Sequence, residues 1–167
     1  MGVAGCGKSS LAAALAQAHQ WPWIEGDAHH SPDNRSKMQQ GIALTDADRA
    51  GWLGQLGRLL TQHEQAASRT PLILTCSALK RSYRDRLRAA APALRFVFLD
   101  IAREEAQARV LARAPQHFFS ASLVDSQFAT LESPVGEAGV LCLDATLGLD
   151  HLHQQVFNWL EEERVLV

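Results

Sequence analysis

Residues 2–9 read Gly2-Val3-Ala4-Gly5-Cys6-Gly7-Lys8-Ser9 and meet every fixed position of the pattern G-x-x-x-x-G-K-[ST]. No other stretch of the chain restricts the fold as much. Glycines let a backbone wrap closely around phosphate oxygens and reach positive φ. Successive N–H groups then point inward as an anion nest, reinforced by the start of the next helix. Lys8 is expected to reach the β and γ phosphates. Ser9 is expected to hold Mg²⁺ through its hydroxyl, and Ser10 to add a phosphate contact. The rest of the chain decides between this reading and a glycine-rich tail.

The pattern beyond the loop alternates apolar runs with amphipathic stretches. Lys8 to His19 predicts a helix, stopped before Pro22. Trp23 to Asp27 predicts a short strand ending in polar residues. Trp52, Leu53, Leu56, Leu59, Leu60 and His63 fall at helical spacing behind a candidate cap, Asp46. Leu72–Cys76 and Arg95–Leu99 predict buried parallel strands, and Val140–Leu143 a last short one. Leu79–Ala91 and Glu104–Arg113 predict helices, and Leu149, Leu152, Val156, Trp159 and Leu160 form one stripe of a C-terminal helix. Strands alternating with helices imply an α/β fold with a parallel sheet.

The chain has 167 residues, 47% of them hydrophobic and 20% charged, which suits one domain over 1–167. A net charge of -2 gives no global field for nucleic acid, so a polyanion needs a local cationic pocket. No apolar run approaches the roughly 18 residues of a membrane span, and no basic stretch leads into an apolar core at the start. Cys6, Cys76 and Cys142 form no disulfide framework or paired-cysteine metal site. A cytoplasmic location is the expectation. A loop of this kind normally follows a buried mid-sheet strand, yet only Met1 precedes Gly2. The expectation is that a first strand is missing, through an upstream start or a truncation, leaving flanking strands short of partners.

Further blocks stand in one order: Gly26-Asp27-Ala28-His29-His30, Asn34 with Lys37-Met38, and Gly41 to Arg49 with Trp52-Leu53. Then come Cys76-Ser77-Ala78-Leu79-Lys80-Arg81-Ser82-Tyr83-Arg84-Asp85, followed by Arg109, Arg113, His117-Phe118-Phe119, Ser126-Gln127-Phe128 and Thr130-Leu131-Glu132. This series resembles the gluconokinase family, small phosphate-loop kinases related to shikimate and nucleoside monophosphate kinases. The resemblance implies ATP-dependent phosphorylation of D-gluconate at its 6-hydroxyl, with Mg²⁺ as cofactor. It also implies a three-layer fold around a parallel sheet of about five strands, a mobile lid over about 113–127 and, in many members, a homodimer. The sequence departs from the family pattern at Ala4, Cys6, Ser31, Gly51 and Gln116.

Asp27 falls at a strand end facing the loop, where α/β folds bind ligands. A carboxylate there can orient an acceptor hydroxyl and take its proton. The resemblance places His30 on the substrate side. Adjacent His29 and His30 make a poor metal pair, with no carboxylate or cysteine cluster to complete a site. Lys37 is a candidate for polyol hydroxyls. Gluconate carries a carboxylate, which calls for a cation. Lys80, Arg84 and Arg49 are the candidates. Arg109 and Arg113, four apart on one helix, are expected to meet the transferring phosphate, as in related kinases. Asp100 is expected in a turn, and His151 and His153 on a helix surface. Rival readings are a kinase for another small hydroxylated acid such as shikimate, and a non-catalytic NTP-binding module. No Asn-Lys-x-Asp guanine motif is present.

Overall fold

A computed structural model describes residues 1–66, 70–113 and 121–165. The loop runs directly into helix α1 (Lys8–His19), entered through Gly7 at φ 99, a left-handed conformation that glycine takes without a Cβ clash. Strand β1 (Trp23–Glu25) pairs in parallel with β2 (Ile73–Thr75). A single 3₁₀ turn, Gly26–His29, follows β1 directly. A Cβ on Gly26 would lie 2.1 Å from the Thr75 carbonyl oxygen, so no larger residue fits at this approach of two strand ends. Helix α2 (Pro32–Gln39) begins with Pro32 and is capped by the Ser31 side chain, which accepts from the Asn34 N–H.

Helix α3 (Asp46–Gln65) is capped by Thr45 rather than Asp46, because Thr45 and Asp48 form a reciprocal capping box. Helix α4 (Arg81–Ala90) begins two residues later than its pattern suggested. Strand β3 (Phe96–Asp100) pairs in parallel with β4 (Val140–Asp144). Asp100 is therefore the last residue of a strand, not a turn residue; its carbonyl accepts from Ala145 N at 2.7 Å. Helices α5 (Arg103–Arg113), α6 (Ala121–Thr130) and α7 (Leu149–Val165) complete the chain.

Strand side chains alternate between two apolar layers, as the period of two requires. Ile73, Val97, Leu99, Leu141 and Leu143 join the core formed with α1, α5, α6 and α7. Leu72, Leu74, Phe96 and Val140 join the core formed with α3 and α4. The result is a three-layer α/β arrangement, with helices on both faces of the parallel strands. Leu53 and Leu56 of α3 are almost wholly buried; cutting either to Ala costs about 2–5 kcal/mol.

Among the described residues the parallel strands form two pairs, β1-β2 and β3-β4, rather than one sheet. Met1 lies in the gap. Its nitrogen donates to the Val97 carbonyl, and its carbonyl accepts from Leu99 N at 3.0 Å, while Gly2 N donates to Ser77 O at 3.2 Å. This is how a parallel strand would pair between β2 and β3. The gap continues as an apolar cavity of about 410 Å³ lined by Met1, Leu74, Cys76, Leu87, Phe96 and Val97.

Within the expected lid, Leu123 and Val124 are buried in the body of the protein; residues 114–120 lie outside the described residues. His153 does not simply face solvent. Its Nε2 meets His19 Nε2 at 3.1 Å, joining α7 to the end of α1.

Candidate active site

The loop, the end of β1, the start of α3 and one face of α6 surround a cleft of about 470 Å³. Gly2, Gly5 and Gly7 hold φ values of 138, 83 and 99, which shape the loop as a nest of N–H groups. The Lys8 ammonium folds back over the loop, donating to Gly2 O at 3.1 Å and Val3 O at 2.9 Å. Ser9 Oγ donates to Glu25 Oε2 at 2.6 Å. Glu25 is held in turn by the Thr75 hydroxyl, which donates to its Oε1. Thr75 Oγ1 also accepts from Gly26 N at 3.1 Å, so one threonine fixes the strand end that carries both acids.

Asp27 lines the cleft across from the loop. Its carboxyl stays open to the cleft, with 44% of the side-chain surface accessible. Desolvation in this recess raises its pKa; Lys8 opposes the rise and Glu25 adds to it. His30 is buried and stacks on Trp52 with ring centroids 4.1 Å apart. Burial, reinforced by Arg49 and Arg35, lowers its pKa to about 4, so the ring is neutral at pH 7. Nδ1 faces the Asn34 amide donor at 3.4 Å. The hydrogen therefore sits on Nε2, which lies 3.9 Å from Asp27 Oδ1.

Arg49 also lines the cleft, with Nη1 donating to the Leu44 carbonyl. The fold thus gathers Lys8, Ser9, Asp27, His30 and Arg49 around one space. Other candidates stand elsewhere. Lys37 is paired to Asp48 at 2.6 Å, and Lys80 to Asp46 at 2.8 Å. Arg109 donates to Glu105 at 2.7 Å and to the Ala145 carbonyl at 3.0 Å. The Arg113 side chain lies outside the described residues.

The expectation for Arg84 needs correction. Its side chain is fully buried, bonded to Glu137 and to the carbonyls of Ala78 at 2.9 Å and Leu79 at 3.1 Å. A guanidinium so enclosed ties α4 to the Ala78-Leu79 turn and cannot reach a substrate in the cleft.

Glu25, Arg35 and Gln127 line the cleft although none was a candidate site residue. Glu25 was detectable as an acid two residues before Asp27 on the same strand end. Gln127 sits in the Ser-Gln-Phe block, and its Oε1 accepts from Ala4 N at 2.6 Å.

A family model described as an AAA domain matches residues 1–134. A gluconokinase of Gluconobacter oxydans is 46% identical over 163 residues, covering 98% of this chain and 90% of that protein. The crystal structure of a gluconokinase from Sinorhizobium meliloti is similar at a TM-score of 0.80 and 45% identity, covering 92% of this chain and 85% of the other. A sugar kinase from Janibacter is similar at a TM-score of 0.88 and 39% identity, covering 96% of this chain and 91% of the other.

Proposed function

The chain belongs to the gluconokinase family, and from that membership we propose that it transfers the γ-phosphoryl group of ATP to the 6-hydroxyl of D-gluconate. The observation that carries this reading is the convergence of the phosphate loop, Asp27 and Arg49 on one cleft. The loop amides and Lys8 bind the nucleotide phosphates, with Lys8 leaving its carbonyl partners to do so. Asp27 orients the acceptor hydroxyl and takes its proton as the phosphorus–oxygen bond forms; ADP leaves with the bond that breaks. A raised carboxyl pKa suits that proton transfer.

Ser9 and Glu25 offer adjacent hard oxygen donors, which suits Mg²⁺, an ion that takes few protein ligands beside phosphate and water. When bound there, Mg²⁺ supplies neutralising charge to the β and γ phosphates. Arg49 and Arg35 are the cations available in the cleft for the gluconate carboxylate, and His30 presents its Nε2–H to a polyol oxygen. Arg113, whose side chain lies outside the described residues, is assigned to the γ-phosphate in this reading. Arg109 joins it only by releasing Glu105. Closure over the γ-phosphate excludes water, which competes as acceptor.

A homodimer is part of the proposal, and light scattering measures it. No helix among the described residues is long and apolar enough to cross a membrane; a cytoplasmic location is proposed. An acceptor panel tests the function. ADP release is followed with ATP and Mg²⁺ plus D-gluconate, shikimate or nothing. Selective stimulation by gluconate is expected; stimulation by shikimate alone, or equal hydrolysis without acceptor, overturns the reading.

A further inference from the structure

The cleft holds a carboxamide whose orientation the fold dictates. Ala4 contributes an N–H, a donor only, so the oxygen of Gln127 must face it, as the 2.6 Å contact records. The Nε2 group is then turned away from Ala4, with two donor hydrogens. Gln127 lines the same cleft as Ser126, the loop and Asp27. Among the described residues no hydrogen-bond partner is recorded for Nε2.

Gln127 is not needed to hold its helix. One turn earlier, Val124 is fully buried in the core. Beyond the helix end, Glu132 N donates to Leu79 O at 2.9 Å, and its carboxylate accepts from Arg81 N at 2.6 Å. Arg103 lies over the Phe128 ring at 5.4 Å. α6 is therefore fastened on both sides of Gln127. The glutamine thus bonds the loop at Ala4 and lines the same cleft as Lys8 and Asp27.

We propose that Gln127 is a catalytic residue whose Nε2 donates to an oxygen of the phosphoryl group in transfer. The assignment rests on the kinase reading above and adds a neutral donor to it. Charge grows and spreads over those oxygens as transfer proceeds, so a fixed donor gains strength in the transition state. Because Ala4 belongs to the phosphate loop, the carboxamide is positioned by the same backbone that holds the nucleotide, without further reorganisation.

Two variants separate a donor from a strut. Gln127→Glu keeps an acceptor for the Ala4 N–H but removes the donors and adds charge. Gln127→Met removes acceptor and donors without charge. Melting temperature, kcat and KM with gluconate, and affinities for ADP and a non-hydrolysable ATP analogue are measured. Both variants are expected to melt within about 4 °C of the parent and to lose roughly 10²-fold in kcat. The methionine variant is expected to bind ADP normally and the ATP analogue several-fold more weakly. Full activity of the methionine variant, or equal weakening of ADP and the analogue, overturns the proposal. If the parent shows no gluconate-dependent turnover, the kinase reading falls, while the comparison of ADP with the analogue still decides the role of Gln127.

Discussion

The Ser9 hydroxyl and the Glu25 carboxylate meet at 2.6 Å, joining the phosphate loop to the end of β1. Ser9 is expected to turn toward Mg²⁺ when nucleotide binds, leaving Glu25 beside the ion or its water. Glu25→Gln removes the charge and keeps the size. Its half-maximal Mg²⁺ concentration is expected to rise about tenfold, equivalent to about 1.4 kcal/mol of lost ion binding. A titration of rate against Mg²⁺ measures this, and an unchanged curve removes Glu25 from the metal site.

Asp27→Asn retains the side-chain shape but cannot accept the proton. Turnover is expected to fall by about 10²–10⁴. ADP affinity should hold, because the loop and Lys8 bind the phosphates. Steady-state kinetics with calorimetric ADP titration checks both; near-normal turnover removes Asp27 from the mechanism.

His30 makes stability pH-dependent. Its folded pKa is about 4 against an ordinary 6.5, so between these values the unfolded chain binds the extra proton. The stability from a neutral His30 is complete above about pH 6.5 and is lost as pH falls toward 4. From pH 7 to pH 5 this amounts to about 2 kcal/mol. His30→Phe keeps an aromatic ring against Trp52 and cannot protonate. Its melting temperature is expected to fall less than the parent's over that range. Parallel curves would contradict the assignment.

Arg84→Met leaves the Glu137 carboxylate, whose pKa Arg84 and then Arg88 hold down, with Arg88 alone, and leaves the Ala78 and Leu79 carbonyls without their donor. Losing these buried bonds is expected to cost about 1–3 kcal/mol. The folded fraction is expected to keep the parental KM for gluconate. Chemical denaturation and kinetics below the new melting point separate the two effects; a raised KM with normal stability would return Arg84 to the substrate site.

Between the two strand pairs, Met1 bonds to Val97 and Leu99 of β3, and Gly2 bonds to Ser77 just beyond β2. Five apolar, β-branched residues fused ahead of Met1 would pair with both edges and fill the 410 Å³ cavity. The fusion is expected to melt at least 5–10 °C higher, at roughly 2–4 °C per kcal/mol for a domain of this size. An unchanged melting temperature shows that the gap does not accept a strand.

The phosphate loop was legible because anion binding by backbone N–H groups demands glycine at set places. β3 and α3 were legible from runs and periods of apolar residues. α2 was harder to read, since Pro32–Gln39 has little apolar periodicity. It is held instead by its Ser31 cap and by Asn34 donating to the Asp48 carbonyl at 2.8 Å. Arg84 was misread for a related reason: a cation on an amphipathic helix looks the same whether it faces water or a carboxylate. Its partner, Glu137, lies 53 residues away. Gln127 has the same long reach, bonding a backbone N–H 123 residues earlier. The place of Asp27 in the cleft with the loop was legible because it follows directly on the end of β1.

The central claim is best tested by following ³¹P in a reaction of the parent protein with ATP, Mg²⁺ and D-gluconate. The expected result is one ADP formed per phosphate monoester, with the new ester on the 6-hydroxyl. ADP accumulating with inorganic phosphate at the same rate with and without gluconate would contradict it.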